Sequence, residues 1–224
     1  MRKIDKSEIL ALSFQEDLEE HSQKNNGIHP KYESGKWYHK EVFFNLLYNQ
    51  KGVCAYTEFL IFDKYAEIPS YFENGRLKTG ISKDGIFGEV EHFDPSLKTL
   101  AGWSYDNLFI EVEHINRRKR DKPVHSFFKP DAYGYNPNLY LEYNFETHRF
   151  IPLDSLENDI KSKTDEMIDI VGINTQTIID QRKSFLNRIK TDIKTGIKTF
   201  EYIRHNEVYQ FFTAFEMSEE DFHS

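Results

Sequence analysis

Two short stretches carry residues whose types suit hydrolytic chemistry: GEVEHFDP at 88–95 and NLFIEVEHINRRKRDK at 107–122. In the first, Glu91 and His92 stand side by side at the end of a strand-like run. In the second, Asn107 opens another strand-like run, Asn116 follows nine residues on, and Lys119 three residues beyond that. A carboxylate and an amide carbonyl are hard oxygen ligands, matched to Mg2+ or Mn2+ rather than to a soft metal. Mg2+ accepts few protein ligands when water and phosphate oxygens complete its shell. A neutral imidazole beside such a cation can take a proton from water, and an ammonium group can stabilise charge on a phosphate. Together these parts suit hydrolysis of a phosphodiester bond.

The elements that must position them follow from apolar spacing and turn residues. Helical spacing predicts one helix over 5–21 and a second over 38–49, separated by an Asn-, Gly- and Pro-bearing loop at 24–37. KGVCAYTEFLIF at 51–62 reads as a β-type run, and 63–86 is irregular, with ENG, KTG and KDG turns. GEVEHF and NLFIEV read as strands, 96–106 as loop or short helix, and 115–122 as a short helix begun by Asn116. PNLYLEYNFETHRFIPL at 137–153 reads as a hairpin turning near Asn144–Thr147. Helices are predicted over 156–171, 175–194 and 197–216, with Gly172 and Gly196 at the breaks. Ile178, Ile179, Phe185, Leu186, Ile189 and Ile193 form an apolar stripe on the middle one.

The chain has 224 residues, enough for one large domain or a domain with an appendage. Its 19 Phe and 13 Tyr can fill a core, and a charged fraction of 29% marks a folded protein rather than a disordered one. The formal charge of −8 argues against a generic nucleic-acid coat protein, although a locally basic cleft is compatible with it. Cys54 is the one cysteine, which excludes an intrachain disulfide and a cysteine-rich zinc site. No apolar run approaches the roughly 20 residues of a membrane span, so a cytoplasmic location is expected.

The spacing of Glu91, His92, Asn107, Leu108, Asn116 and Lys119 resembles that of the HNH (ββα-metal) endonucleases, in the subtype ending in Asn. KGVCAYTE at 51–58 resembles the family's first knuckle, and GWSYDNLF the aromatic lead-in to its Asn-Leu strand. IDIVGINTQTIIDQRKSFL at 168–186 resembles a helix pair of the HNH nucleases in Septu-type and retron-associated phage defence. The resemblance implies an α+β fold: a ββα-metal core with N-terminal helices and a C-terminal helical layer. The expected divisions are an N-terminal helical segment at 1–50, the core with its following hairpin at 51–153, and a helical region at 154–224. It implies His92 as the general base, Glu91 and Asn116 as ligands of Mg2+ or Mn2+, and Asn107 as the residue that pins the loop and orients His92. Lys119 is implied to contact phosphate, with Arg117, Arg118, Arg120 and Lys122 along the nucleic acid. The implied partners are DNA, with RNA such as tRNA open, and an ABC-type ATPase of a defence complex.

The chain departs from the family in several places. Cys54, Thr57, Val112 and Ile115 occupy the knuckle positions where many relatives place four zinc-binding thiols, so no structural zinc is expected and apolar packing takes its place. Asp94 and Ser96 stand where relatives often carry basic residues, and Asp94 is read either as weakening phosphate binding or as a second carboxylate near the metal. Simpler readings stand beside the catalytic one. Asn116 also suits a helix N-cap, and the basic run at 117–122 also suits a solvated helix face. His114 is off the motif's spacing, and His125 and His148 carry no signal. Cys54 reads as a small buried hydrophobe, and Glu58 is open between a structural role and one behind the metal ligands. The rival class is a non-catalytic scaffold that keeps the nuclease shell and docks through 156–216.

Overall fold

The computed structural model describes residues 1–206 and 210–223. It is an α+β protein with three two-stranded antiparallel sheets. By packing, the chain falls into two compact units: 4–55 with 60–124, and 1–3 with 56–59 and 125–224. The helices before residue 50 therefore share a unit with the strands of the site, and the hairpin near 141–152 shares one with the C-terminal helices.

In the first unit, α1 spans Leu12–Lys24 and α2 spans Trp37–Asn49. The first helix starts later than its apolar spacing predicts. The Asn45 side chain accepts from the Leu10 and Ala11 N–H groups at 2.8 and 3.1 Å, which pins the two residues just ahead of the helix. The preceding segment is anchored elsewhere, with the Lys6 ammonium donating to the Leu108 carbonyl at 2.7 Å. Val42, Phe43, Phe44, Leu46 and Leu47 are all buried, so α2 is the apolar centre of the unit. Trp103 packs on it with Phe14, Tyr32 and Tyr38, at ring separations of 5.8, 4.4 and 4.6 Å.

The run at 51–62 does not form the β-type element that its composition suggests. Only an isolated bridge joins Val53 to Leu60. Lys51, Gly52 and Glu58 all have positive φ, which no strand tolerates. The Gly52 N–H closes α2 on the Leu47 carbonyl at 2.9 Å, and a Cβ at Gly52 would lie 2.0 Å from the Phe62 carbonyl oxygen. Gly52→Ala is therefore expected to cost at least about 2 kcal/mol, read as a lowered urea midpoint of unfolding.

Short strands β1 (Phe72–Glu73) and β2 (Arg76–Leu77) form a small hairpin. Strands β3 (Gly88–His92) and β4 (Leu108–Val112) pair antiparallel, and helix α3 (Glu113–Lys119) follows β4 without a loop. The free edge of β4 is satisfied by a side chain: Gln50 accepts from the Ile110 N–H at 2.7 Å and donates to the Ile110 carbonyl at 2.9 Å.

In the second unit, β5 (Leu141–Asn144) and β6 (Arg149–Pro152) make the expected hairpin. Helices α4 (Asn158–Ile170) and α5 (Gln176–Lys194) follow. The α5 stripe is buried at Ile178, Ile179, Phe185, Leu186 and Ile189. Arg182 lies in that buried face, with its guanidinium bonded to the His148 and Ile173 carbonyls at 2.7 and 2.6 Å and stacked over Phe150. The helix expected over 197–216 is divided into α6 (Phe200–Asn206) and α7 (Phe212–Met217), and a final helix α8 spans Glu219–His223. Phe211, at φ +52°, ends any continuous helix there, and 207–209 lie outside the described residues. No helix among the described residues is long and apolar enough to cross a membrane.

Candidate functional site

The register of β3 on β4 sorts the side chains by face. Cross-strand partners share a face, so Val90, His92, Leu108 and Ile110 lie on one side, and Glu89, Glu91, Phe109 and Glu111 on the other. Two bonds then tie α3 to β3. Asn116 donates its side-chain N–H to Glu89 at 2.9 Å, and the Lys119 ammonium donates to Glu91 and, at 2.9 Å, to the His92 carbonyl. Residues three apart on a helix share a face, as do residues two apart on a strand, so the two pairs form one ladder.

Glu91, His92 and Asn116 line a single cavity of about 340 Å³. A carboxylate can only accept, so the bond to Glu89 fixes the Asn116 amide with its nitrogen toward Glu89 and leaves Oδ1 for another partner. Glu91 is buried; Lys119 holds Oε1, and Oε2 has no hydrogen-bond partner. Burial pushes the Glu91 carboxyl up, against the pull of the Lys119 ammonium.

His92 is buried at the end of β3, and its Nε2 lies 2.8 Å from the Gly102 carbonyl oxygen. A carbonyl only accepts, so Nε2 carries the proton and the neutral ring keeps its lone pair on Nδ1. Burial lowers the His92 pKa to about 4, with the Lys98 and Lys119 charges acting the same way and the Gly102 bond opposing. A side chain at Gly102 would meet the Lys98 carbonyl at 2.5 Å, which keeps that turn close enough to hold the ring. Tyr32 meets His92 edge-on at 4.6 Å.

Asn107 lies outside the cavity and locks the loop beyond His92. Its side chain accepts from the Asp94 N–H at 2.8 Å and donates to the Asp94 carbonyl at 2.9 Å. Its own carbonyl accepts from the Phe93 N–H at 2.8 Å. Asp94 turns to Ser96, accepting from its N–H at 2.9 Å and from its hydroxyl, and so caps the turn at Pro95–Lys98.

Several residues sit differently from their sequence-based expectations. The helix begins at Glu113, with Val112 as its N-cap, so Asn116 lies inside α3 and caps nothing. Lys119 is fully buried against Glu91 and the His92 carbonyl rather than presented to phosphate. Ile115, four residues earlier, is buried on the same helix face, and that spacing is the signal that marks Lys119 as inward. Arg117, Arg118, Arg120 and Lys122 are exposed and line no part of the cavity; Arg117 pairs with Glu113 one turn back. Cys54, Val112 and Ile115 are buried, and His114 is exposed. Glu58 belongs to the second unit, where its carboxylate accepts from the Thr213 N–H at 2.9 Å and from the Thr213 hydroxyl.

Sequence spacing does not reveal the further residues of the cavity, among them Tyr32, His39, Lys83, Glu89 and Lys98. Burial lowers the His39 pKa to about 4, so this ring is neutral too. Glu111, directly across from Glu89, is completely buried with neither oxygen hydrogen-bonded. Burial first, then the nearby Glu91, pushes its carboxyl well above the usual range. Among the described residues, no three His, Cys, Asp or Glu side chains gather closely enough to hold a metal by themselves. A cation held here would rest on Glu91 and Asn116, with water and substrate oxygens completing its shell. Neither a protein-family model nor a curated protein matches the chain.

Proposed function

We propose that the first unit is a ββα-metal (HNH) endonuclease that hydrolyses phosphodiester bonds in DNA with Mg2+ or Mn2+. The observation that carries this reading is that Glu91 and Asn116, tied together through β3 and α3, and His92, on the other face at the end of β3, all line one cavity. The donor set fits a hard cation: a buried carboxylate oxygen without a partner on Glu91, and an amide oxygen on Asn116 whose orientation Glu89 sets. When bound, the cation supplies charge neutralisation on the phosphate and the departing oxygen.

The remaining work belongs to the chain's own groups. His92, neutral with its lone pair on Nδ1, takes the proton of the attacking water. The Gly102 carbonyl holds the ring's tautomer and angle, and Asn107 keeps the following loop from shifting. Lys119 positions Glu91 and ties the end of β3 to α3. The exposed basic residues Arg117, Arg118, Arg120 and Lys122 face solvent, available to the nucleic-acid backbone. An ABC-type ATPase partner in a phage-defence complex belongs to the same proposal and rests on the sequence resemblance.

The rival reading, an inert scaffold, draws on Lys119, which already occupies one oxygen of Glu91. Plasmid nicking separates the two. The purified chain is expected to convert supercoiled plasmid to open circles with Mg2+ or Mn2+ and to stop with EDTA. Asn116→Ala should shift the Mn2+ dependence to higher concentration. A chain inert with every divalent cation, both alone and with an ATPase partner, overturns the nuclease reading.

A further inference from the structure

Two lysines from outside the β3–β4–α3 elements line the cavity. Lys83 comes from the turn at 82–86 and Lys98 from the turn that Asp94 caps. Lys83 is half-buried, with its Nζ 3.9 Å from the centroid of the buried Phe43 ring. It has no hydrogen bond or ion pair among the described residues. Burial lowers its pKa, and Glu89 works against that. Lys98 has one loose contact, 3.7 Å from a largely exposed Asp121.

A half-buried ammonium without a contacting anion is costly, Glu89 offsets only part of that cost from a distance, and the rest is recovered when an anion binds directly. The cavity also has a need for such groups. Glu89 and Glu91 lie on its β3 side and would repel a phosphate, while the exposed basic residues of α3 do not reach into it. Lys119, the nearest other cation, is fully committed to Glu91 and the His92 carbonyl.

We propose that Lys83 and Lys98 form a phosphate clamp in this cavity, holding the non-bridging oxygens of a nucleic-acid phosphodiester against the side lined by Glu91 and Asn116. The clamp deepens the nuclease reading and rests on it for the substrate class. Lys83 contributes a charge strengthened by its partly dry setting on Phe43, and Lys98 adds a more exposed charge.

The test uses the full chain with Lys83→Met, Lys98→Met and, as a control, Lys24→Met at an exposed position of α1. Methionine keeps an apolar stem over Phe43, and near-UV circular dichroism checks the fold. Lysine acetylation is read by mass spectrometry with no ligand, with inorganic phosphate and with a short DNA duplex. Duplex affinity is followed against salt, and nicking supplies kcat and KM. The duplex is expected to protect Lys83 and Lys98 but not Lys24. Each clamp variant should weaken duplex binding about tenfold and lower the salt slope by about one, with KM rising more than kcat falls. Protection by neither ligand, protection by phosphate but not duplex, or an unchanged salt slope in Lys83→Met overturns the clamp. Nicking by a chain whose lysines stay unprotected overturns the clamp alone. Protection with the expected slopes but no nicking upholds the clamp and overturns the hydrolytic reading.

Discussion

His92→Ala is expected to lower metal-dependent nicking by about 10²–10⁴-fold, the usual contribution of a positioned general base. The loss should fall on kcat, because the ring sits behind Tyr32 at the end of β3 and makes no contact of the kind that binds a backbone. The pH dependence distinguishes this histidine from an ordinary one. An unperturbed imidazole would lose its basic form as pH falls through about 6.5. With its pKa lowered to about 4 by burial, His92 keeps its lone pair far below that, so an acid limb at higher pH should come from the Glu91 carboxyl, which burial pushes up, and not from the imidazole. A limb near 6.5 that Glu91→Gln leaves in place would mean that the proton acceptor is a solvated group elsewhere, and an unchanged rate in His92→Ala would remove the mechanism altogether. The same depression has a stability consequence. The unfolded chain binds more protons than the folded one between pH 6.5 and 4, both at His92 and at His39, so the first unit loses stability as pH falls through that window.

Lys119→Met is expected to destabilise the first unit by about 3–5 kcal/mol, the cost of breaking a buried ion pair from one side. Glu91 would be left buried without its cation, beside a Glu111 that has no hydrogen-bond partner, and α3 would lose its bond to the His92 carbonyl. Urea unfolding measures this, and the double variant Lys119→Met with Glu91→Gln should recover much of the loss, because the uncompensated charge is gone. If Lys119 instead worked as a solvent-facing phosphate contact, the single variant would leave stability nearly unchanged and weaken duplex binding. The elevated carboxyls add an opposite pH trend. Groups whose folded pKa is raised, Glu91 and Glu111, favour folding most at low pH and lose that contribution as pH rises above the unfolded value of about 4.5.

The strands, the short helix and the motif residues were legible because each is encoded locally. GEVEH and the buried apolar run LFIEV both read as strands and form them, and apolar spacing placed α2 and α5 within a residue or two of their ends. Where local composition misled, a specific long-range contact had overridden it. Asn45 holds the Leu10 and Ala11 N–H groups ahead of α1, and the Gly52 carbonyl, accepting from the Ile61 and Phe62 N–H groups at 2.8 and 2.9 Å, folds the apolar run at 51–62 back on itself. Lys119 was misplaced because its charge suggests solvent, while its spacing from Ile115 says interior.

By itself, the order of residues determined that an acid and an imidazole end one strand, that an asparagine stands immediately before its neighbour, and that an amide follows on the next helix. Those facts depend on neighbours a few positions apart, where backbone periodicity dictates which side chains share a face. Only the tertiary structure decided that Glu89 orients Asn116, that Lys119 is spent on Glu91, and that Tyr32, His39, Lys83 and Lys98 complete the cavity. Those groups sit on turns and helices whose approach is set by packing around Phe43 and Trp103, a collective fit over the whole unit that no short window of sequence contains.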